Sequence, residues 1–332
     1  MPDQPTTPSQ RARGPAHGRK PLRIGTRASP LARAQTDAVA AALIAAFPDL
    51  AGDGGIEIVA VKTTGDRVLD RPLADVGGKG LFTKELDEVM LDGRIDLAVH
   101  STKDVPTWLP DGILLAAFLK RADPRDALII APDLAPAADS LAALPAGASV
   151  GTASLRRQAQ IRHARPDLRV VTLRGNVGTR LGRLAAGEIE ATLLAVAGLT
   201  RLGLADRATA ILAADEMLPA VGQGAIGITC RADDERCRHL LSAIDHAPTA
   251  LAMTAERAML EALDGSCRTP IGGYGRVGDD GTIVLDGLVA APDGSRLVAD
   301  RRQGAAAEAA RLGRDLGLDL KRRIGPDVFI GP

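Results

Sequence analysis

From Arg23 to Pro219 the chain alternates short apolar runs with longer stretches whose apolar positions recur at helical spacing. That alternation predicts α/β units around a largely parallel sheet. Strands are expected over residues 22–25, 56–62, 96–99, 114–119, 127–131, 170–173 and 192–196, and helices over 30–47, 80–91, 155–164 and 177–186. Ser29 followed by Pro30 predicts a helix start, because the serine hydroxyl accepts a free N–H while proline needs no donor and presets φ. Residues 121–126 and 218–224 carry the Pro and Gly expected where a chain crosses between two lobes. After residue 248 the pattern changes to an amphipathic helix (249–263), a Gly-rich turn at Cys267, alternating strands between 274 and 298 and a final helix (305–324). The expected organisation is a disordered leader (1–20), a first lobe (21–121 with 225–243), a second lobe (126–219) and a small α+β domain (247–332).

Composition narrows the function classes. A chain of 332 residues has room for two or three cores. Aromatics are only 2% of it, which argues against stacking platforms for nucleic-acid bases. A formal net charge of +0 argues against a surface built overall for DNA or anionic lipid, so any anion site must be local. Three cysteines, Cys230, Cys237 and Cys267, are too few and too irregular for a disulfide scaffold and form no Cys-x-x-Cys pair, which points to a reducing compartment. No apolar run is long enough to span a bilayer and no secretory signal is visible, so the cytoplasm is the expected location.

Four segments carry candidate chemistry. Residues 156–183 hold eight arginines (Arg156, Arg157, Arg162, Arg165, Arg169, Arg174, Arg180 and Arg183) against one acid, Asp167. Arg156 and Arg157 follow Gly-Thr152-Ala-Ser154, a strand end turning into a helix start that already favours anions. Arg174 and Arg180 fall at the next strand end and helix start, within reach of the same crevice. Arginine suits several carboxylates because its planar fork bonds in pairs and keeps its charge. His100-Ser-Thr-Lys103-Asp104-Val-Pro follows a predicted strand, where α/β enzymes place reactive groups. Gly77-Gly78-Lys79-Gly80 lacks the spacing of a phosphate loop, and the stretch from Asp66 to Lys79 reads instead as a mobile lid. Cys267 lies between Gly and Pro beside Arg268, a setting that exposes a thiol and favours its thiolate. Cys230 and Cys237 have no such setting and read as structural.

In this order the segments resemble the porphobilinogen deaminase family from about residue 22 to the end. The matching strings are Gly-Thr-Arg27-Ala-Ser29-Pro-Leu-Ala, Val-Gly-Gly-Lys79-Gly-Leu-Phe, His-Ser-Thr-Lys103-Asp104-Val-Pro, Gly-Thr-Ala-Ser154-Leu-Arg156-Arg157-Gln, Leu-Arg174-Gly-Asn-Val-Gly-Thr-Arg180-Leu, Pro-Ala-Val-Gly-Gln223-Gly-Ala and Gly-Ser-Cys267-Arg-Thr-Pro-Ile-Gly. The resemblance implies two periplasmic-binding-protein-like lobes joined by two crossings, plus a small C-terminal α+β domain. It implies one covalent dipyrromethane cofactor per chain, on Cys267, and four porphobilinogens condensed to hydroxymethylbilane. Asp104 would be the catalytic carboxylate. Arg27, Ser29, Lys103, Arg156, Arg157, Arg174 and Arg180 would hold acetate and propionate groups, with Asp66, Lys79, Thr152, Ser154, Arg201 and Gln223 at or near contact positions. A monomer is expected, with possible hand-over of product to uroporphyrinogen-III synthase. Two rivals are a two-lobed anion receptor and a Schiff-base enzyme on Lys79 or Lys103.

Overall fold

The computed structural model describes residues 20–67, 80–134, 139–263 and 269–328, except the side chains of residues 66 and 67. Strand β1 (Leu22–Arg27) is buried on both faces and pairs in parallel with β2 (Ile56–Val61) and β3 (Leu97–Ser101). Helix α1 (Pro30–Ala46) connects β1 to β2. Ser29 caps it by accepting from the Ala32 N–H, with Pro30 in its first turn, as the sequence predicts. A short turn of helix, α2 (Thr64–Arg67), and α3 (Lys84–Leu91) precede β3.

The sheet is completed by β4 (Ile113–Phe118) and by β10 (Ile226–Arg231), in the order β2-β1-β3-β10-β4. Here the expectation of a largely parallel sheet is corrected, because β10 runs antiparallel to both β3 and β4. The same mixture recurs in the second sheet, β7-β6-β8-β5-β9, formed by β5 (Asp126–Ile130), β6 (Ser149–Gly151), β7 (Arg169–Val171), β8 (Ala191–Ala195) and β9 (Ala210–Ile211). There β6 is parallel to β7 and β8, while β5 is antiparallel to β8 and β9. A buried strand is apolar in either direction, so its direction is invisible in its sequence. Helices α4 (Leu155–Ala164), α5 (Val177–Ala185) and α6 (Val196–Arg201) belong to this lobe, and α7 (Glu235–Ser242) returns to the first.

The chain passes from one sheet to the other between β4 and β5 and returns between β9 and β10. The two crossings touch, since the Ala122 N–H donates to the Gly224 carbonyl at 3.2 Å. Gly224 has φ +87°, and a Cβ there would stand 2.6 Å from the Ala122 oxygen, so only glycine lets the two strands of the crossing approach.

Beyond α8 (Ala247–Ala262) lies an antiparallel sheet of β11 (Ile271–Val277), β12 (Thr282–Ala290) and β13 (Leu297–Ala305), followed by α9 (Ala309–Ile324). Leu285, Leu316, Leu320 and Met259 form its core. Helices α8 and α9 pack closely because Gly313 leaves room for the Ala255 carbonyl, which a Cβ would meet at 2.1 Å.

Candidate active site

Neighbouring parallel strands end at the same edge, so β1 and β3 deliver their last residues side by side. From β1 comes Arg27. From β3 comes a single 3-10 turn, Thr102–Asp104, that carries Lys103 and Asp104. The Arg27 Nη1 lies 3.9 Å from the Asp104 Oδ2, and the Arg27 guanidinium stacks over the Phe82 ring at 4.1 Å. A cavity at this edge is lined by Arg27, Ser29, Gln35, Phe82, Lys103 and Asp104 among others. The Gln35 amide donates to Ser101 Oγ at 2.9 Å and so fixes the strand end just before Asp104. His100 is buried, with Nε2 2.9 Å from Thr229 Oγ1, and burial followed by repulsion from Arg27 pulls its pKa down to about 4. It is therefore neutral at neutral pH and holds β3 against β10.

The second lobe contributes the opposite wall. Ser154 caps α4 by accepting from the Arg157 N–H, and Arg156 and Arg157 stand in its first turn. Both are 4% exposed, and both donate to Asp126, which is fully buried. Burial alone would raise the Asp126 carboxyl, but Arg156 and Arg157, with bonds from Arg157 and Gln223, hold it well below the usual carboxylate range. Gln223 spans the walls: its amide donates to Asp126 Oδ1 at 2.8 Å and to the Pro124 carbonyl at 2.6 Å, while its oxygen accepts from Lys103 Nζ at 3.4 Å.

These groups share one electrostatic field. The Lys103 side chain is open to water at the cleft yet ringed by protein, and that desolvation lowers it to about 8, against the raising effect of Asp104 and with Arg157 lowering it further. Arg180 is lowered to about 10, first by burial and then by Arg157 and Arg174, with Asp104 opposing. Its Nε donates to the Gly175 carbonyl at 2.9 Å, which braces it against the start of α5.

The structure thus brings together Arg27, Lys103, Asp104, Arg156, Arg157, Arg174, Arg180 and Gln223. It uses Ser29 and Ser154 as helix caps, and buried Thr152 accepts from the Ser154 N–H at 3.2 Å. Arg201 donates to the Gly224 carbonyl at 2.7 Å and so bears on a crossing. Asp66 falls on α2, but its side chain, Lys79, Cys267 and the suggested lid lie outside the described residues. The eight-arginine run divides: Arg162 donates to the Pro292 carbonyl, Arg165 pairs with Asp167, and Arg183 pairs with Glu188. Cys230 and Cys237 are buried, and burial raises both thiols, Cys230 to about 11, in keeping with a structural role.

Asp126 and Arg257 are additions that sequence reasoning missed. Asp126 had a signal, an acid opening an otherwise apolar buried strand, Asp-Ala-Leu-Ile-Ile. Arg257, on α8, donates to the carbonyls of Val105, Pro106 and Thr107, and its local sequence gives no sign of that reach.

The donor set fits a polycarboxylate ligand. The Nε atoms of Arg156 and Arg157 are buried with no hydrogen-bond partner among the described residues, in a wall that already holds more cations than acids. Among those residues no His/Cys/Asp/Glu group could hold a metal ion. No helix among them is long and apolar enough to cross a membrane.

Comparison with known proteins gives one answer along the chain. Residues 22–239 match the profile "Porphobilinogen deaminase, dipyromethane cofactor binding domain" and residues 250–322 match "Porphobilinogen deaminase, C-terminal domain". The chloroplastic porphobilinogen deaminase of Oryza sativa subsp. japonica is 53% identical over 93% of this chain and 85% of its own length. Porphobilinogen deaminase of Nitrobacter hamburgensis is 55% identical over 92% and 94%. Among solved structures, the periplasmic VFT2 domain of BvgS from Bordetella pertussis aligns at 15% identity and a TM-score of 0.39, covering 67% of this chain and 86% of that one. With both of its family profiles matched in order and more than half of the aligned residues shared with these relatives, the chain belongs to the porphobilinogen deaminase family.

Proposed function

We propose that Asp104 is the carboxylate at which the family's reaction proceeds in this chain, and that Cys267 is the point of cofactor attachment. The reaction is the head-to-tail condensation of four porphobilinogens with loss of ammonia, followed by hydrolysis to hydroxymethylbilane. Dipyrromethane, when bound, supplies the primer from which the product grows.

The observation that carries the reading is the position of Asp104, 3.9 Å from Arg27 at adjoining strand ends and within the field of Lys103 and Arg180. Its carboxylate accepts a pyrrole N–H and stabilises the positive charge that develops on the ring as ammonia departs. The same carboxylate takes the proton lost from the ring carbon after coupling. Arg27, Ser29, Lys103, Arg156, Arg157, Arg174 and Arg180 bind the acetate and propionate groups, and a growing product that adds two carboxylates per ring needs such a field.

The same reading assigns residues 21–121 with 225–243, 126–219 and 247–332 as the three domains. It takes the protein as a cytoplasmic monomer that passes its product to a uroporphyrinogen-III synthase.

Asp104→Asn is expected to lower kcat by roughly 10²–10⁴-fold while the protein stays folded and loaded. Intact mass and an aldehyde colour test check the loading, and a two-pyrrole adduct should vanish in Cys267→Ala. Wild-type turnover in Asp104→Asn removes Asp104 from the mechanism. An unmodified wild type that stays unmodified after incubation with porphobilinogen favours a binding protein without chemistry.

A further inference from the structure

We propose that Asp126 is the positioning residue of the arginine pair, a buried carboxylate that sets Arg156 and Arg157 side by side and fastens them to the chain crossings. The proposal rests on the reading of the cleft given above and assigns a role to a fully buried residue.

Consecutive residues on a helix point about 100° apart, so Arg156 and Arg157 would ordinarily diverge from the first turn of α4. One carboxylate overrides that divergence. Asp126 Oδ2 accepts from Arg156 Nη2 at 2.7 Å, and Oδ1 accepts from Arg157 Nη2 at 2.7 Å and from Gln223 Nε2 at 2.8 Å. The far sides of the guanidiniums are also held. Arg156 Nη1 donates to the Leu218 carbonyl at 2.6 Å, in the second crossing, and Arg157 Nη1 donates to the Leu193 carbonyl at 2.8 Å, on β8. Asp126 itself is the first residue after the first crossing. Through Gln223 it reaches Lys103, the neighbour of Asp104. One side chain therefore links both crossings, both walls and the catalytic turn.

Two features separate this from an ordinary buried ion pair. Two guanidiniums face one carboxylate, which leaves an excess positive charge in a group that water hardly reaches, a costly arrangement unless a further anion completes it. The Nε donors of both arginines are also left buried and without partners among the described residues. A scaffold built only for stability would be neutral and satisfied. A scaffold that holds two cations ready for carboxylates has this surplus.

The test turns on a sign. Coulomb's law alone says that removing a negative charge from a cationic cleft tightens an anionic substrate. Positioning says the reverse, because guanidiniums released from a common anchor lose their shared orientation. Asp126→Asn keeps the size of the side chain and removes the charge. The expected result is a KM for porphobilinogen raised by about tenfold or more with a smaller change in kcat, and Asp126→Glu should recover part of the loss. An unchanged or lowered KM in Asp126→Asn, or in Asp126→Ser should the asparagine variant not fold, overturns the proposal even if thermal stability falls. Assaying Asp104→Asn in parallel separates the two ideas, since full activity there would refute the cleft reading, whereas a wild-type KM at position 126 would refute this proposal alone.

Discussion

Lys103 stands at the meeting of two acids and two guanidiniums, and its titration is the feature of the cleft most open to measurement. Desolvation lowers it to about 8, with Asp104 and Asp126 opposing and Arg157 and Arg156 assisting. Below that pH the ammonium is charged and available to a substrate carboxylate, and as pH rises through it the charge is lost. The KM for porphobilinogen should therefore climb from about pH 8 upward at constant ionic strength, and Lys103→Arg should flatten the climb because a guanidinium keeps its proton. A pH-independent KM in the wild type would show that Lys103 does not hold substrate. At this scale much was legible. Arg27, Lys103 and Asp104 follow predicted strands, where short motifs and position agree. Asp126 was not legible as part of the site, because its segment, Arg-Ala-Asp-Pro-Arg-Asp, reads as a bend, and only burial shows that its last acid is spent on two arginines.

Among the elements, α8 has the widest reach. Arg257 donates to three successive carbonyls directly after Asp104, at 3.3, 2.7 and 3.1 Å, and α8 ends five residues before Cys267 in the chain. The helix thus registers the segment leading to the cysteine against the turn that carries the acid. Replacing Arg257 by Gln should lower kcat by roughly tenfold, the order expected for a displacement of reacting groups well under 1 Å, with KM and the cofactor mass unchanged. Loss of the cofactor mass in that variant would show that the contact serves loading instead. Element existence was largely readable: α4 begins and ends where its periodicity and its Ser154 cap predict. Strand β10 was missed, although five of its six residues are buried, because it enters the sheet only after the chain has left and returned. Strand β9 was missed for a simpler reason, being two residues long, too short for a period to show, whereas the end of β6 was read at Gly151 without its start.

On the scale of the whole molecule the lobes and the third sheet meet at Glu256. Fully buried, it accepts from Arg121 in the first crossing, from the Gly222 N–H in the second and from the Gly275 N–H on β11, the last two at 2.7 Å. Removing one partner of such a pair leaves the other charge buried and unmatched, so Glu256→Ala should lose about 3–5 kcal/mol of stability, read from the midpoint of denaturant unfolding. Arg121→Ala combined with Glu256→Ala should lose less than the sum of the two single changes; strict additivity would show that the pair does not act as a unit. Taken alone, the sequence determined the α/β class, the placement of both crossings and the arginine, lysine and aspartate of the cleft, because each depends on residues close together in the chain: a period, a cap, a Pro or Gly, a motif at a strand end. Only the tertiary structure decided the direction of β5 and β10, the division of the arginine run into cleft and surface, and the roles open to Asp126, Glu256 and Arg257. Those outcomes depend on which distant groups share one buried volume, and no local pattern encodes that.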